Sequence, residues 1–468
     1  MVFLWLSCPV PAAEKPSAEK EIDLQWGLKI PMRDGVKLNA TVYKPRELST
    51  GLPVIFTLTP YIADTYHDRA WFFAGHGYVF VIVDVRGRGN SEGKFEPFVN
   101  DARDGHDIVE WLAKQSWCNG KVAMWGGSYA GFDQWATLKE FPPHLATIVP
   151  AAAAHPGVDF PAFQNIFSSY LVRWLTLTSG NTPNTKLFGE TAYWNQKYRE
   201  HYLSHIPFKN LDTTIGNPSP HFQKWLQHPS PDDYLDAMAP SAEHYARISI
   251  PILTITGHYD DDQAGALAYY HRHMQHGPSD SRNRHFLIAG PWDHAGTRTP
   301  AREVAGLKFG PACMLDMNQL HKEWYDWTLK DGKKPAFLKN RVAYYVPGEE
   351  TWKYADDLEA ISSSNLTWYL NSPNGPANDV FHSGTLNKLK PEKSTADRYV
   401  YDPLDLRPAE LEREEIKNYI TDQRYALNLF GNGLVYHSEP LEEPIEITGF
   451  LKFTCWIAMD APDTDFQV

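Results

Sequence analysis

Two uninterrupted apolar runs, Leu52 to Leu58 (LPVIFTL) and Tyr78 to Val85 (YVFVIVDV), limit this chain more than any other feature. Strands without polar alternation have no face to give to water, so they belong inside a sheet covered on both sides. Such sheets are mostly parallel, and parallel strands need helical crossovers. The sequence supplies one at Asp101 to Lys114, where Ile108, Val109, Trp111 and Leu112 fall near helical spacing and acids occupy the first turn. Lys121 to Trp125 then reads as strand, Ala130 to Leu138 as helix and Ala146 to Ala152 as strand. This alternation predicts a doubly wound α/β sheet. Ahead of it, Ile22 to Tyr43 carries two strand-like runs around Asp34-Gly35, the signal of a hairpin and an antiparallel edge.

The alternation stops over residues 154–245, far too long for a plain loop. This stretch is rich in Trp, Tyr, His and Pro, with helix-like pieces at Phe163 to Leu177 and Thr191 to Leu203, and is expected to cap the sheet's carboxyl edge. Strand signals resume at Ile250 to Thr256 and His285 to Ala289, with a helix between them from Gly265 to Met274 and another near Cys313 to Leu329. Short alternating runs follow at Arg341 to Val346, Leu366 to Leu370, Tyr399 to Tyr401 and Ile445 to Ala458, punctuated by Gly, Pro and Asn as in a β-sandwich. The expected organisation is a core over 22–153 and 246–330, a helical cap over 154–245 and a sandwich over 335–468. The sandwich is expected to be truncated, because the chain stops at Val468 with no closing turn.

Composition narrows the function. With 57 acids against 44 bases the net charge is -13, which repels phosphate backbones and argues against nucleic-acid binding. No stretch approaches the roughly 18 apolar residues of a membrane span. Cys8, Cys118, Cys313 and Cys455 lie far apart, without metal-ligand or disulfide-scaffold spacing, so no metal is expected, and Cys118 and Cys455 read as buried thiols. Met1 to Ala13 has a short apolar core and a small-residue stretch like the remnant of a signal peptide, which favours an exported, periplasmic or secreted protein over a cytoplasmic one.

The sharpest chemical signal is Trp125-Gly126-Gly127-Ser128-Tyr129-Ala130-Gly131, between a predicted strand and a predicted helix. A serine on so sharp a turn needs small neighbours two residues to either side, here Gly126 and Ala130, and Gly131 lets the helix approach. The Tyr129 N–H, at the helix start, faces any oxyanion forming beside Ser128. A Gly-rich turn with a capping serine accounts for the string equally well unless an imidazole and a carboxylate accompany it. Asp260 follows the strand Ile250 to Thr256, and His294 follows His285 to Ala289, both at the sheet edge that carries Ser128. Asp260, Asp261 and Asp262 are consecutive, and Asp260 is expected to be the acid because it is nearest the strand. Tyr61, after the strand Leu52 to Leu58, stands where a second oxyanion donor belongs, though packing alone explains a tyrosine there.

With these residues in place the chain resembles the cocaine esterase and X-Pro dipeptidyl-peptidase-like family of α/β-hydrolases, which includes α-amino-acid ester hydrolases and cephalosporin acylases. The resemblance rests on Pro60-Tyr61, Asp84 to Gly93 (DVRGRGNSEG), Gly126 to Gly131, Gly290 to His294 (GPWDH) and Asp460 to Phe466 (DAPDTDF). It implies a helical cap, a C-terminal jelly roll walling the site, and acyl-enzyme chemistry on esters or amides. It also implies that Tyr61 donates to the oxyanion and that Arg86 to Gly93, Ser91 included, is structural. In the amino-ester branch, carboxylates beyond the catalytic acid grip the substrate's ammonium. Asp262 keeps one such position while Gln263 replaces the next.

The expected function is a serine acyl hydrolase with the triad Ser128, Asp260 and His294, oxyanion donors Tyr61 and Tyr129, and Asp262 as a contact for a substrate amine. The substrate is a small ester or amide, no cofactor is expected, and the amino-acid ester hydrolase and X-Pro dipeptidyl peptidase are narrower forms of the same reading. A reading from another class keeps the fold without the chemistry: an inactive protein holding a sugar or peptide. A third is a structural homo-oligomer with a vestigial site.

Overall fold

The computed structural model describes residues 22–62, 66–373, 375–393, 395–412, 420–422, 424 and 426–466. The signal-peptide remnant expected over 1–13, with Cys8, lies outside them. The apolar runs form a ten-stranded sheet. Its strands are β1 (Ile22–Pro31), β2 (Lys37–Pro45), β3 (Leu52–Thr59), β4 (Val79–Asp84), β5 (Cys118–Gly127), β6 (Leu145–Ala151), β7 (Ile252–Tyr259), β8 (His285–Asp293), β9 (Val342–Val346) and β10 (Thr351–Ala355). In space they run β1-β2-β4-β3-β5-β6-β7-β8-β9-β10, with β3 to β9 parallel and antiparallel pairs at both edges. The β1–β2 hairpin turns at Asp34-Gly35, where Gly35 takes φ +88° and the Asp34 carboxylate accepts from Val36 N at 3.1 Å.

Because the inner strands alternate side chains between two covered faces, they feed two cores. Val54, Phe56, Val79 and Val81 meet α2 (Asp101–Ala113) and α3 (Tyr129–Leu138) on one face. Ile55, Phe80 and Ile82 meet α1 (His67–Gly75) and the helix Met317–Leu329 on the other. Strand order reverses between β3 and β5, which leaves a crevice outside their carboxyl ends, the place where such sheets bind ligands.

Between β6 and β7 the chain builds the cap. Ala162–Phe163 pairs with Ile166–Phe167 as a small hairpin, so the helix expected from Phe163 begins only at α4 (Tyr170–Leu177). Thr191–Leu203 is helical. Arg88, fully buried in the loop after β4, ties this cap to the sheet. Its Nε donates to Pro60 O at 2.9 Å, just before Tyr61, and its Nη1 donates to Thr178 O at 2.7 Å and to Gly180 O, just after α4. The neighbouring Arg86 pairs with Asp104 and Asp34, and Ser91 Oγ donates to Asp84 O while accepting from Asn39 N, so this segment works as scaffolding.

The C-terminal part departs from the sequence reading in three places, and at one of them, Tyr399 to Tyr401, the expected run forms no strand. The run Arg341 to Val346, expected to open the sandwich, extends the main sheet instead: β9 pairs parallel with β8, and β10 closes the edge. A short alternating run reads the same whether its partner is a sandwich or the rim of a parallel sheet. Beyond Ala355 the described strands are Tyr369–Asn371, Gly384–Asn387 and Tyr436–His437, one small sheet. Ile445 to Ala458, expected to be strand, has no strand partner among the described residues and exposes Ile447, Phe450, Leu451 and Trp456. Cys455, within it, is exposed rather than buried, Cys118 is half-buried and Cys313 is buried. No helix among the described residues is long and apolar enough to cross a membrane.

Candidate active site

Ser128 occupies the single residue between β5 and α3 with φ +62° and ψ -128°, a strained conformation for a side chain with a Cβ. Its N–H is shared between Ala151 O and Ala152 O, at 3.0 and 2.9 Å, which pins the turn to the end of β6. The small residues have the steric reason expected: a Cβ on Gly126 would lie 2.6 Å from Ala130 Cβ, and one on Gly131 would lie 2.9 Å from Ala151 O. A brace invisible in the motif comes from Gln134, whose amide donates to Gly126 O and Val149 O while its oxygen accepts from Val149 N. Tyr129 begins α3, so its N–H has no acceptor within the helix. Its buried phenol donates to Asp101 and accepts from Phe98 N.

Of the three consecutive aspartates, Asp260 is the one hydrogen-bonded to His294, with Oδ1 2.8 Å from Nδ1. Its side chain is wholly buried, and Thr256 Oγ1 and Asp262 N donate to its two oxygens. That arrangement fixes the carboxylate and leaves the imidazole's Nε2 free to turn to the crevice. Asp262 lies further from His294, with Oδ2 3.8 Å from Nδ1, and Asp261 is exposed. Among the described residues no hydrogen bond joins the Ser128 hydroxyl to His294. Such contacts are often loose in the absence of substrate.

Tyr61 follows β3 by two residues, and its N–H donates to Thr59 Oγ1. The Trp174 indole N–H, from α4, donates to its phenol oxygen at 3.0 Å. Burial pushes the phenol up to about 12, so it keeps its proton and serves as a donor. The Trp174 ring also stacks on Tyr129, with centroids 5.7 Å apart and planes 15° apart. The sheet edge thus gathers Ser128, Tyr61, Tyr129, Asp260, Asp262 and His294.

Three further groups were not legible in the sequence. Asp159, in the first loop of the cap, accepts from His155 N and Gly265 N and faces the Asp260 to Asp262 loop. Burial, with Asp260 adding, raises its carboxyl to about 7. Burial, then Asp159 and Asp260, push Asp262 well above the carboxylate range. Trp174 and Arg298 are the others. No spacing rule links the cap residues Asp159 and Trp174 to loops about a hundred positions away, and nothing in the sequence around Arg298 marks its packing on Gly127. His258 and His285, set aside as structural, bond to Tyr345 O and to Thr254 and His273.

Comparison with known proteins gives the family and the fold. The family profile "X-Pro dipeptidyl-peptidase (S15 family)" matches residues 34–296, and "X-Pro dipeptidyl-peptidase C-terminal non-catalytic domain" matches 326–468. Cocaine esterase of Rhodococcus sp. (strain MB1 Bresler) is 27% identical over 465 residues, covering 93% of this chain and 78% of that one. Among solved structures, an α-amino acid ester hydrolase superposes with TM-score 0.71 at 23% identity, covering 95% of this chain and 77% of its own. An aminopeptidase from a marine sediment archaeon, Thaumarchaeota archaeon, gives 0.67 at 22% identity, covering 89% and 73%.

Proposed function

The chain belongs to the X-Pro dipeptidyl-peptidase (S15) family and is a serine hydrolase of the α/β-hydrolase fold, and from that premise we propose that Ser128 is its nucleophile. Ser128 Oγ attacks the carbonyl carbon of an ester or amide while His294 Nε2 takes its proton. Asp260 holds Nδ1–H and stabilises the imidazolium. The oxyanion is met by the Tyr61 phenol and the Tyr129 N–H, donors fixed before the charge forms. Collapse expels the alcohol or amine with the proton carried by His294, and water repeats the sequence to release the acid. The contact between Ser128 and His294 is expected to close when substrate fills the crevice.

The observation that carries this reading is the 2.8 Å bond from the wholly buried Asp260 to His294, on the same sheet edge as the strained Ser128. A fluorophosphonate probe tests it. Labelling is expected in the wild type and absent in Ser128→Ala, with turnover reduced about a million-fold. Folded wild type that takes no label would support instead an inactive binding protein on the same fold.

A narrower reading, preference for an acyl group bearing an α-ammonium, is favoured by Asp159 and Asp262. Burial raises both carboxyls, with Asp260 adding to Asp159 and Asp159 and Asp260 adding to Asp262, and a cation entering between them would favour their ionised forms. Amino-acyl esters should then outrun the matching acyl esters, and Asp262→Asn should erase the difference. We also propose a domain division in which the hydrolase core runs on to Ala355 before the sandwich begins.

A further inference from the structure

In a chain of net charge -13 several arginines pair with acids: Arg33 with Asp107, and Arg86 with Asp104 and Asp34. Two beside the nucleophile do not. Arg298 makes no ion pair among the described residues, and its Nη1 is buried without a hydrogen-bond partner. Its guanidinium lies flush on the backbone before Ser128: a Cβ on Gly127 would fall 2.2 Å from Nη1 and 2.6 Å from Cδ. Gly127 is thus the residue that makes room for it. Arg69 stands behind, donating to Arg298 O at 3.2 Å and to Asn318 Oδ1, with its guanidinium carbon 4.6 Å from the centroid of the Trp125 ring, and it too lacks a carboxylate among the described residues. The groups facing Arg298 are therefore a second cation, the Tyr66 phenol and the Asp262 carboxyl, whose protonated form is favoured by burial first and then by Asp159 and Asp260, while Arg298 itself opposes this.

A buried guanidinium donor without an acceptor costs stability and is kept where something else completes it. The group it fits best is a planar carboxylate, which accepts two parallel N–H bonds. Position selects the side of the substrate. Thr297 Oγ1 and Arg298 N bond back to His294 O and Ala295 O, so imidazole and guanidinium ride on one tight turn. The imidazole delivers its proton to the departing atom, so the leaving group is the part of the substrate that Arg298 can reach.

We propose that Arg298, backed by Arg69, binds a carboxylate on the leaving group, making the substrate an ester or amide whose released alcohol or amine is an acid anion. The proposal rests on the hydrolase reading for which side is which, and it is tested separately from it. Para-nitrophenyl acetate is compared with the same ester carrying a carboxylate on the ring beside the nitro group, at low salt and near-neutral pH. Wild type should favour the carboxylate ester in kcat/KM, and Arg298→Met should shrink that preference about ten- to a hundred-fold, with Arg298→Lys restoring part of it. An unchanged ratio, with both esters slowed alike or not at all, overturns the proposal. Calorimetry on the Ser128→Ala protein judges the subsite without turnover. The carboxylated nitrophenol should bind more tightly than para-nitrophenol, and Arg298→Met should remove the difference. Equal binding overturns the subsite, whereas binding preference without turnover of either ester by wild type overturns the hydrolase reading alone.

Discussion

Replacing Trp174 by Phe removes one N–H from the site and keeps most of an aromatic ring. That N–H donates to the Tyr61 phenol at 3.0 Å, and the phenol has one proton to offer the oxyanion. The indole bond therefore fixes the direction in which Tyr61 donates. A neutral hydrogen bond contributes about 0.5–1.5 kcal/mol net, so Trp174→Phe should lower kcat about two- to tenfold, with little change in KM because the loss falls on the transition state. Tyr61→Phe, which removes the oxyanion donor itself, should cost about a hundred- to a thousand-fold. The decisive assay is the double-mutant cycle, with kcat measured on one activated ester for wild type, both single variants and the pair. Adding Trp174→Phe to Tyr61→Phe should cost nothing more, since the indole then has no donor to orient. If the two losses multiply, or if Trp174→Phe raises KM alone, the indole serves as a wall of the pocket and the orientation mechanism is wrong.

Asp260→Asn should leave the fold intact and lower kcat by about ten-thousand-fold, because the amide presents the wrong partner to His294 Nδ1; steady-state kinetics with a melting curve as control would check it. Asp133→Asn should stabilise the protein at alkaline pH. Burial, with Asp101 adding, raises the Asp133 carboxyl well above its ordinary range, and burial raises Asp101 to about 7. The folded chain therefore holds protons that the unfolded chain releases above about pH 4. Stability contributed by these groups falls as pH rises from there towards the folded values. Asparagine at position 133 removes one such group, so thermal melts should show a gain near pH 8 and little near pH 4; a gain equal at both would refute the assignment.

What the sequence disclosed follows the range of the interactions. The elbow around Ser128 is local: a strand, a turn with small neighbours and a helix all fall within one stretch, and β3 and β4 are continuous apolar runs, so both were legible. Asp260 and His294 could be placed at the right edge because the parallel alternation fixes which strand ends meet. Choosing among three consecutive aspartates needed the backbone, since the Asp262 N–H itself helps hold the Asp260 carboxylate. Asp159, Trp174 and Arg298 stayed hidden because their roles come from cap and loop geometry. Arg341 to Val346 was misassigned because period-two alternation carries no information about which sheet receives it.

Arg88 has a mechanical consequence. Its guanidinium is sealed among carbonyls from the β3 loop and from the turn after α4, so lifting the roof would have to break several charge-assisted hydrogen bonds at once. That keystone opposes a flap that swings on a hinge, and substrates are expected to pass through a mouth of constant width, sorted by shape instead of by gating. For the same reason roof and sheet should melt in one cooperative step.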